Sequence, residues 1–319
     1  MRHKAIVGAL AGAGIIAAAL ALALGPMASS ASAAVKPSLM AAHHMGIRGA
    51  KPHPKAAGTP LTYQGGAVET TPAVYIVYWG SQWSSGFSTG GYTSAQAQTY
   101  VQGFFSNVGG SSWDNINTQY CQGVAVGTIN CGSAGTHVTN PAGQLKGTWV
   151  DGSSLPKRIT QSGLAAEAVK AQSHFGYNAN ATYFVFTPSG HSQSGFGTSW
   201  CAYHSLTINS GGQDVAWSYM PYIPDAGASC GENFVNSTNN SYGNGYFDGF
   251  SVVGGHEYAE AITDPHTTSG QYGWLDSSGA EIGDKCAWAS NSTNITLGSH
   301  FYAVQPLWSN ASGGCVTTY

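Results

Sequence analysis

Apolar positions in this chain gather in short runs separated by long polar, Gly-rich spacers. Thr71 to Gly80, TPAVYIVYWG, is β-branched and aromatic almost throughout, the pattern of a strand covered on both faces. After a Gly/Ser loop, Thr93-Ser94 reads as a helix cap, and Ala97, Val101, Phe104, Phe105 and Val108 approximate a helical stripe. Trp113 to Trp149 reads as short strands and Gly turns. Ser153 to Gly176 contains a second helix, with Ile159, Leu164, Ala168, Val169 and Ala171 on its apolar side and Gly176 placed to cap its end. Thr182 to Thr187, Trp200 to Ile208 and Val215 to Tyr222 read as three further strands. A Gly/Asn-rich loop from Asp225 to Phe247 leads into an apolar helix that Pro265 stops. His300 to Trp308 is a last strand or extended segment. Strands and helices mix without regular alternation or internal repeat. The predicted class is therefore α+β with a mixed sheet, in one domain over residues 67–319.

The N-terminus follows a different rule. A charged start, Met1-Arg2-His3-Lys4, precedes an apolar run from Ala5 to Gly25 and the small residues Ala28 to Ala33, which predicts a signal peptide over residues 1–33. Residues 34–66 carry Pro37, Pro52, Pro54 and Pro60 and no apolar period, so they read as a linker or prosegment. Lys36, Arg48, Lys51, Lys55, His43, His44 and His53 lie there without an acid among them. From residue 57 onward, five basic residues face 14 acidic ones, a balance of −9. That sign argues against nucleic acid and anionic membranes as partners. Nothing after the leader resembles a membrane span, so the expectation is a secreted, extracellular protein. The basic segment is expected to be removed or disordered in the active form, after shielding the acidic body. A body with few ion pairs to lose is also expected to tolerate moderate acid.

Cys121, Cys131, Cys201, Cys230, Cys286 and Cys315 all lie in the mature part, and an even count in an exported chain favours disulfides. No CxxC pair is present. Six cysteines allow 15 connectivities. The preferred scheme joins neighbours, Cys121–Cys131, Cys201–Cys230 and Cys286–Cys315, because each pair closes a short loop.

Candidate chemistry concentrates in one place. Seven of the 14 acids fall between Asp248 and Asp284: these two with Glu257, Glu260, Asp264, Asp276 and Glu281. His256-Glu257-Tyr258-Ala259-Glu260 lies at the centre. On a helix, positions i and i+4 share a face, so His256 and Glu260 can hold one metal while Glu257 points at a water beside it. This is the HExxH arrangement of zinc peptidases with Glu in place of the second His, and carboxylate oxygen is an ordinary zinc ligand. Glu281 follows Glu260 by 21 residues, a spacing that suits a third ligand. The expected site is Zn²⁺ on His256, Glu260 and Glu281, with Glu257 as general base and a peptide or protein as substrate. Asp284 or Asp264 could replace Glu281 or orient His256, and His266 could donate to a transition-state oxyanion. His204, in a strand between aromatics, reads as a hydrogen-bonded core residue.

Several stretches resemble the EXORDIUM or phosphate-induced-protein family of secreted proteins. They are AVYIVYWG with AQTYVQGFF, GFGTSWCAYHS from Gly195 to Ser205, the aromatic strand leading to Cys230, and the centre through EIGDKC to HFYAVQPLWSNASGGC. The resemblance covers most of the chain after residue 66 and implies cysteines paired as neighbours. Plant members carry small and apolar residues at the HEYAE position, whereas this chain carries the full His/Glu set. That departure points to a metal-binding branch with a zincin-like active-site helix.

The competing expectation is a non-catalytic, cell-surface protein that binds calcium or carbohydrate, since oxygen-rich sites suit Ca²⁺ and exposed Trp and Tyr suit sugars. Serine hydrolase, phosphate-loop and dinucleotide signatures are absent from the sequence.

Overall fold

A six-stranded mixed sheet carries the fold, and its strands send alternate side chains into two apolar layers. The computed structural model describes residues 38–49, 58–267 and 271–319. The expected signal peptide, and the remainder of the 34–66 segment, lie outside the described residues. The described residues all belong to one compact unit, Lys36–Tyr319.

In chain order the main elements are β1 (Ser38–Gly46), β2 (Thr62–Tyr63), β3 (Ala73–Trp79), α1 (Ser94–Asn107), β4 (Leu145–Asp151), α2 (Gln161–Phe175), β5 (Ala181–Phe186), β6 (Trp200–Ile208), β7 (Asp214–Met220), α3 (Asp248–Thr263), β8 (Trp274–Leu275), β9 (Thr293–Leu297), β10 (His300–Val304), β11 (Leu307–Ser309) and β12 (Gly314–Val316). The sheet runs β1-β6-β7-β5-β3-β4. β4, β3, β5 and β7 are parallel neighbours, while β6 and β1 add antiparallel at one edge. Parallel pairing needs a crossover, and α1 and α2 supply two of them.

Period two sorts the strands. Val74, Ile76, Tyr78, Phe184 and Phe186 face one layer with α1 and α3, and Ala73, Val77, Tyr183, Val185 and Trp217 face the other with α2. Helix starts follow local chemistry. Thr93 and Gln96 form a reciprocal capping box at α1, and the Thr160 hydroxyl accepts from the Gly163 amide at α2. The second helix begins at Gln161, so Ile159, read as the first residue of its apolar side, belongs to the approach loop.

Helix α3 is buried on every side, as an apolar, glycine-rich sequence permits. Gly249 is required there: a Cβ would stand 2.3 Å from the Cys230 carbonyl oxygen. At its start, Asp248 accepts from the amides of Gly245, Val235 and Asn236. Asp264 leaves helical geometry and Pro265 bars continuation. Pro306 likewise divides the expected strand over 300–308 into β10 and β11.

Two features bear on the site. The three disulfides are Cys121–Cys131, Cys201–Cys230 and Cys286–Cys315, the neighbour scheme that the short loops favoured. Such bridges contribute ~2–4 kcal/mol each. The expectation of a structureless linker is corrected over two stretches: Ser38–Gly46 is the edge strand β1, and Thr62–Tyr63 pairs with β8 as β2. Pattern reading missed β1 because its Ala- and His-rich sequence has no β-branched run.

Buried carboxylates away from the site set the pH response. Burial raises Asp114 to about 6 against the hydrogen bonds that Asn117 and Gln144 donate, and raises Glu69 to about 8 against the one from Thr182. Such groups bind protons in the folded chain that the unfolded chain has released. Their contribution is therefore fully present below about pH 4 and is lost as pH rises through 6 to 8. Asp276, held at about 2 by the Lys285 ammonium against burial, works in the opposite sense and matters only in stronger acid. The metal-free protein should have a higher melting temperature at pH 5 than at pH 9. Thermal scans that rise toward pH 9 would contradict this.

Candidate metal centre

The centre is built where α3 crosses the segment Glu281–Asp284. One helical turn separates His256 from Glu260, so both point to the same side. His256 Nδ1 lies 3.2 Å from Gln305 Oε1, and the Gln305 amide nitrogen donates to the Gly283 carbonyl at 2.9 Å. That second bond turns the Gln305 oxygen toward His256. Nδ1 therefore keeps a proton, which leaves Nε2 as the nitrogen that a metal could take in place of its own proton. Nε2 lies 3.0 Å from Glu260 Oε1 and 3.8 Å from Asp284 Oδ1, ion-pair contacts that lack the alignment of a hydrogen bond. Ligands of a tetrahedral zinc at ~2.0–2.1 Å stand roughly 3.3 Å apart, so these spacings fit one shared ion.

Gly283 makes this approach possible. A Cβ there would lie 2.7 Å from His256 Nδ1 and 2.8 Å from Glu260 Oε1. Gly283→Ala should leave the disulfides intact and weaken zinc binding by at least ~10-fold, the size of effect seen when outer partners of a metal ligand are disturbed. A chelator titration showing unchanged zinc affinity would refute that role.

The strand β6 completes the other half. Its two-residue period turns His204 toward α3. His204 Nδ1 is 3.4 Å from Glu257 Oε2 and 3.7 Å from Glu260 Oε2, while its Nε2 is 3.4 Å from Glu281 Oε1. The remaining Glu281 oxygen lies 2.8 Å from Nδ1 of His43 in β1. Three overlapping groups thus have the spacing to hold a metal: His256/Glu260/Asp284, His204/Glu257/Glu260 and His43/His204/Glu281. A fourth, Cys121/Cys131/His137, has its two sulfurs in a disulfide and offers no thiolate.

Charge in this volume is concentrated and buried. Burial opposes a charged His256, but Glu260, Glu257 and Asp284 outweigh it and raise the imidazole to about 10. His204 is raised well above its usual value against the same penalty, by Glu281 and Glu257. Burial pushes Glu257 and Glu260 up, and with the nearby Glu260 charge it raises Asp284 to about 7. Glu281 alone is held well below the carboxylate range, since His204 and His43 outweigh burial. Several atoms here, His204 Nε2, His256 Nε2, Glu257 Oε1 and Glu281 Oε1, are buried without a well-aligned hydrogen bond among the described residues. A cation among them would supply the missing partner.

The residues singled out from sequence divide as follows. His256, Glu257 and Glu260 meet in the cluster. Glu281 is in it too, but faces His204 and His43, while Asp284 joins His256 and Glu260. Asp264 accepts from the Gly273 amide at 2.7 Å and lies beyond the three groups. His266 pairs with Asp214 at 3.5 Å, away from the role of oxyanion donor. His204 is the buried, hydrogen-bonded residue that was expected, and its partners are the carboxylates Glu257 and Glu281. His204, His43 and Gln305 were the omissions. For His204 the usable signal was strand period, which puts it on the same face as Ala202. Compared with protein-family models, curated proteins and solved structures, the chain matches none of them.

Proposed function

We propose that this cluster is the metal centre of a secreted zinc hydrolase that cleaves peptide bonds, with α3 as a zincin-like helix. The observation that carries the reading is His256 Nε2: fixed from behind by Gln305 and facing one oxygen each of Glu260 and Asp284, at 3.0 Å and 3.8 Å. His256, Glu260 and Asp284 would hold the ion, with Asp284 in the place first given to Glu281. Bound there, zinc would lower the pKa of a bound water to about 7 and polarise a carbonyl. Glu257 has one oxygen facing His204 Nδ1 and the other, Oε1, unbonded, so Oε1 is the free acceptor for a proton from the attacking water. His204, between Glu257 and Glu281, can pass a proton across its ring.

Each of the three groups includes an imidazole nitrogen, which favours zinc over calcium, a cation that takes oxygen ligands. A sugar-binding reading is less favoured, because Trp274 is fully buried and donates to the Cys121 carbonyl. The three disulfides support export to an oxidising compartment, and no described helix is long and apolar enough to cross a membrane. The neighbour pairing also accords with a distant EXORDIUM-like relationship. The test is cleavage of unfolded casein by the secreted protein. Activity should vanish with chelator and return with zinc. Activity indifferent to chelator would eliminate the reading.

A further inference from the structure

β1 holds a position that its composition does not explain. It is an Ala- and His-rich strand at the edge of the sheet, yet it lies directly over the cluster. His43 is paired with His204 across the β1–β6 ladder, and its ring reaches Glu281. His44, on the opposite face, packs on Trp200 and Tyr203. Among the described side chains of the strand, Met45 alone is fully buried.

The rest of the grip falls on the backbone. The Ala41 carbonyl accepts from the Ser205 hydroxyl at 2.9 Å and the Thr267 hydroxyl at 2.6 Å. The Gly46 carbonyl accepts from the Trp288 indole at 2.8 Å. Side-chain donors aimed at strand carbonyls, beside an open ladder edge, recognise an extended backbone with little regard to sequence. That is how edge strands bind peptides.

We propose that the outer edge of β6, with Ser205, Thr267 and Trp288, is the binding site for an extended peptide substrate, and that β1 occupies it as a built-in competitor with His43 capping the cluster. This rests on the reading of the site as a peptide hydrolase. His43 lies against Glu281 and His204 where a substrate backbone would pass. With β1 in place, Glu257 and His204 are sealed from solvent. Tethering supplies the competitor at an effective concentration of roughly millimolar, so an intact chain excludes a second peptide.

Two full-length variants test this. Met45→Lys puts a charge where the strand is anchored and should release β1, and His43→Ala removes the cap alone. A fluorescent peptide of residues 38–46 should bind zinc-loaded Met45→Lys and fail to bind the wild-type chain. The same peptide with alanine at position 43 should bind Met45→Lys at least ~10-fold more weakly, since it lacks the contact with Glu281. Both variants should cleave casein at least ~10-fold faster than the wild type. Should Met45→Lys not fold, His43→Ala carries the test through its casein rate. Wild-type activity equal to both variants, with no binding of the peptide in trans, overturns the proposal and leaves the hydrolase reading standing. His43-dependent peptide binding without cleavage by any variant keeps the competitor and sinks the hydrolase.

Discussion

His256→Ala is expected to abolish zinc binding and turnover together and to cost about 3–5 kcal/mol of stability at neutral pH. The stability loss follows from burial. His256 lies at 0 % exposure between Glu260 and Asp284, and both carboxylates are raised by burial. Removing one partner of a buried ion pair leaves the other charge without compensation, at about that cost. The void also releases Gln305, whose oxygen would lose its hydrogen-bond partner. The loss of metal follows from geometry: no other imidazole in the cluster presents a nitrogen to both Glu260 Oε1 and Asp284. Stoichiometric zinc in the purified His256→Ala protein would move the centre to His204 and its carboxylates.

Glu257→Gln is expected to keep the metal and lose activity by 10²–10⁴-fold or so, the usual contribution of a positioned general base. Glutamine preserves size and can still bond to His204, but its amide cannot take a proton. Glu257 does not belong to the group that joins His256, Glu260 and Asp284. Metal content should therefore stay unchanged while turnover falls. Full activity in Glu257→Gln would remove the residue from the chemistry.

Much of this site was legible because helices and carboxylates leave strong marks in a sequence. The i, i+4 spacing places His256 and Glu260 on one face, and the clustering of seven acids among 14 marks the segment that closes the site. Strand boundaries came out within two residues for β3, β5 and β6, since fully buried strands are long apolar runs. The choice between Glu281 and Asp284 was not legible. They are three residues apart in a short irregular segment, where no period says which side chain turns which way. That His43 and His204 meet at the site was illegible for a different reason. They are neighbours only through β1–β6 pairing across more than 150 positions, and β1 has too little strand propensity to announce itself.

Metal analysis of the purified, full-length protein tests the central claim most directly. After dialysis against equimolar zinc and calcium, elemental analysis should find one zinc per chain, removed by a strong chelator and regained on adding zinc back. Calcium in its place, or no bound metal, would contradict the assignment of His256, Glu260 and Asp284 as a zinc centre.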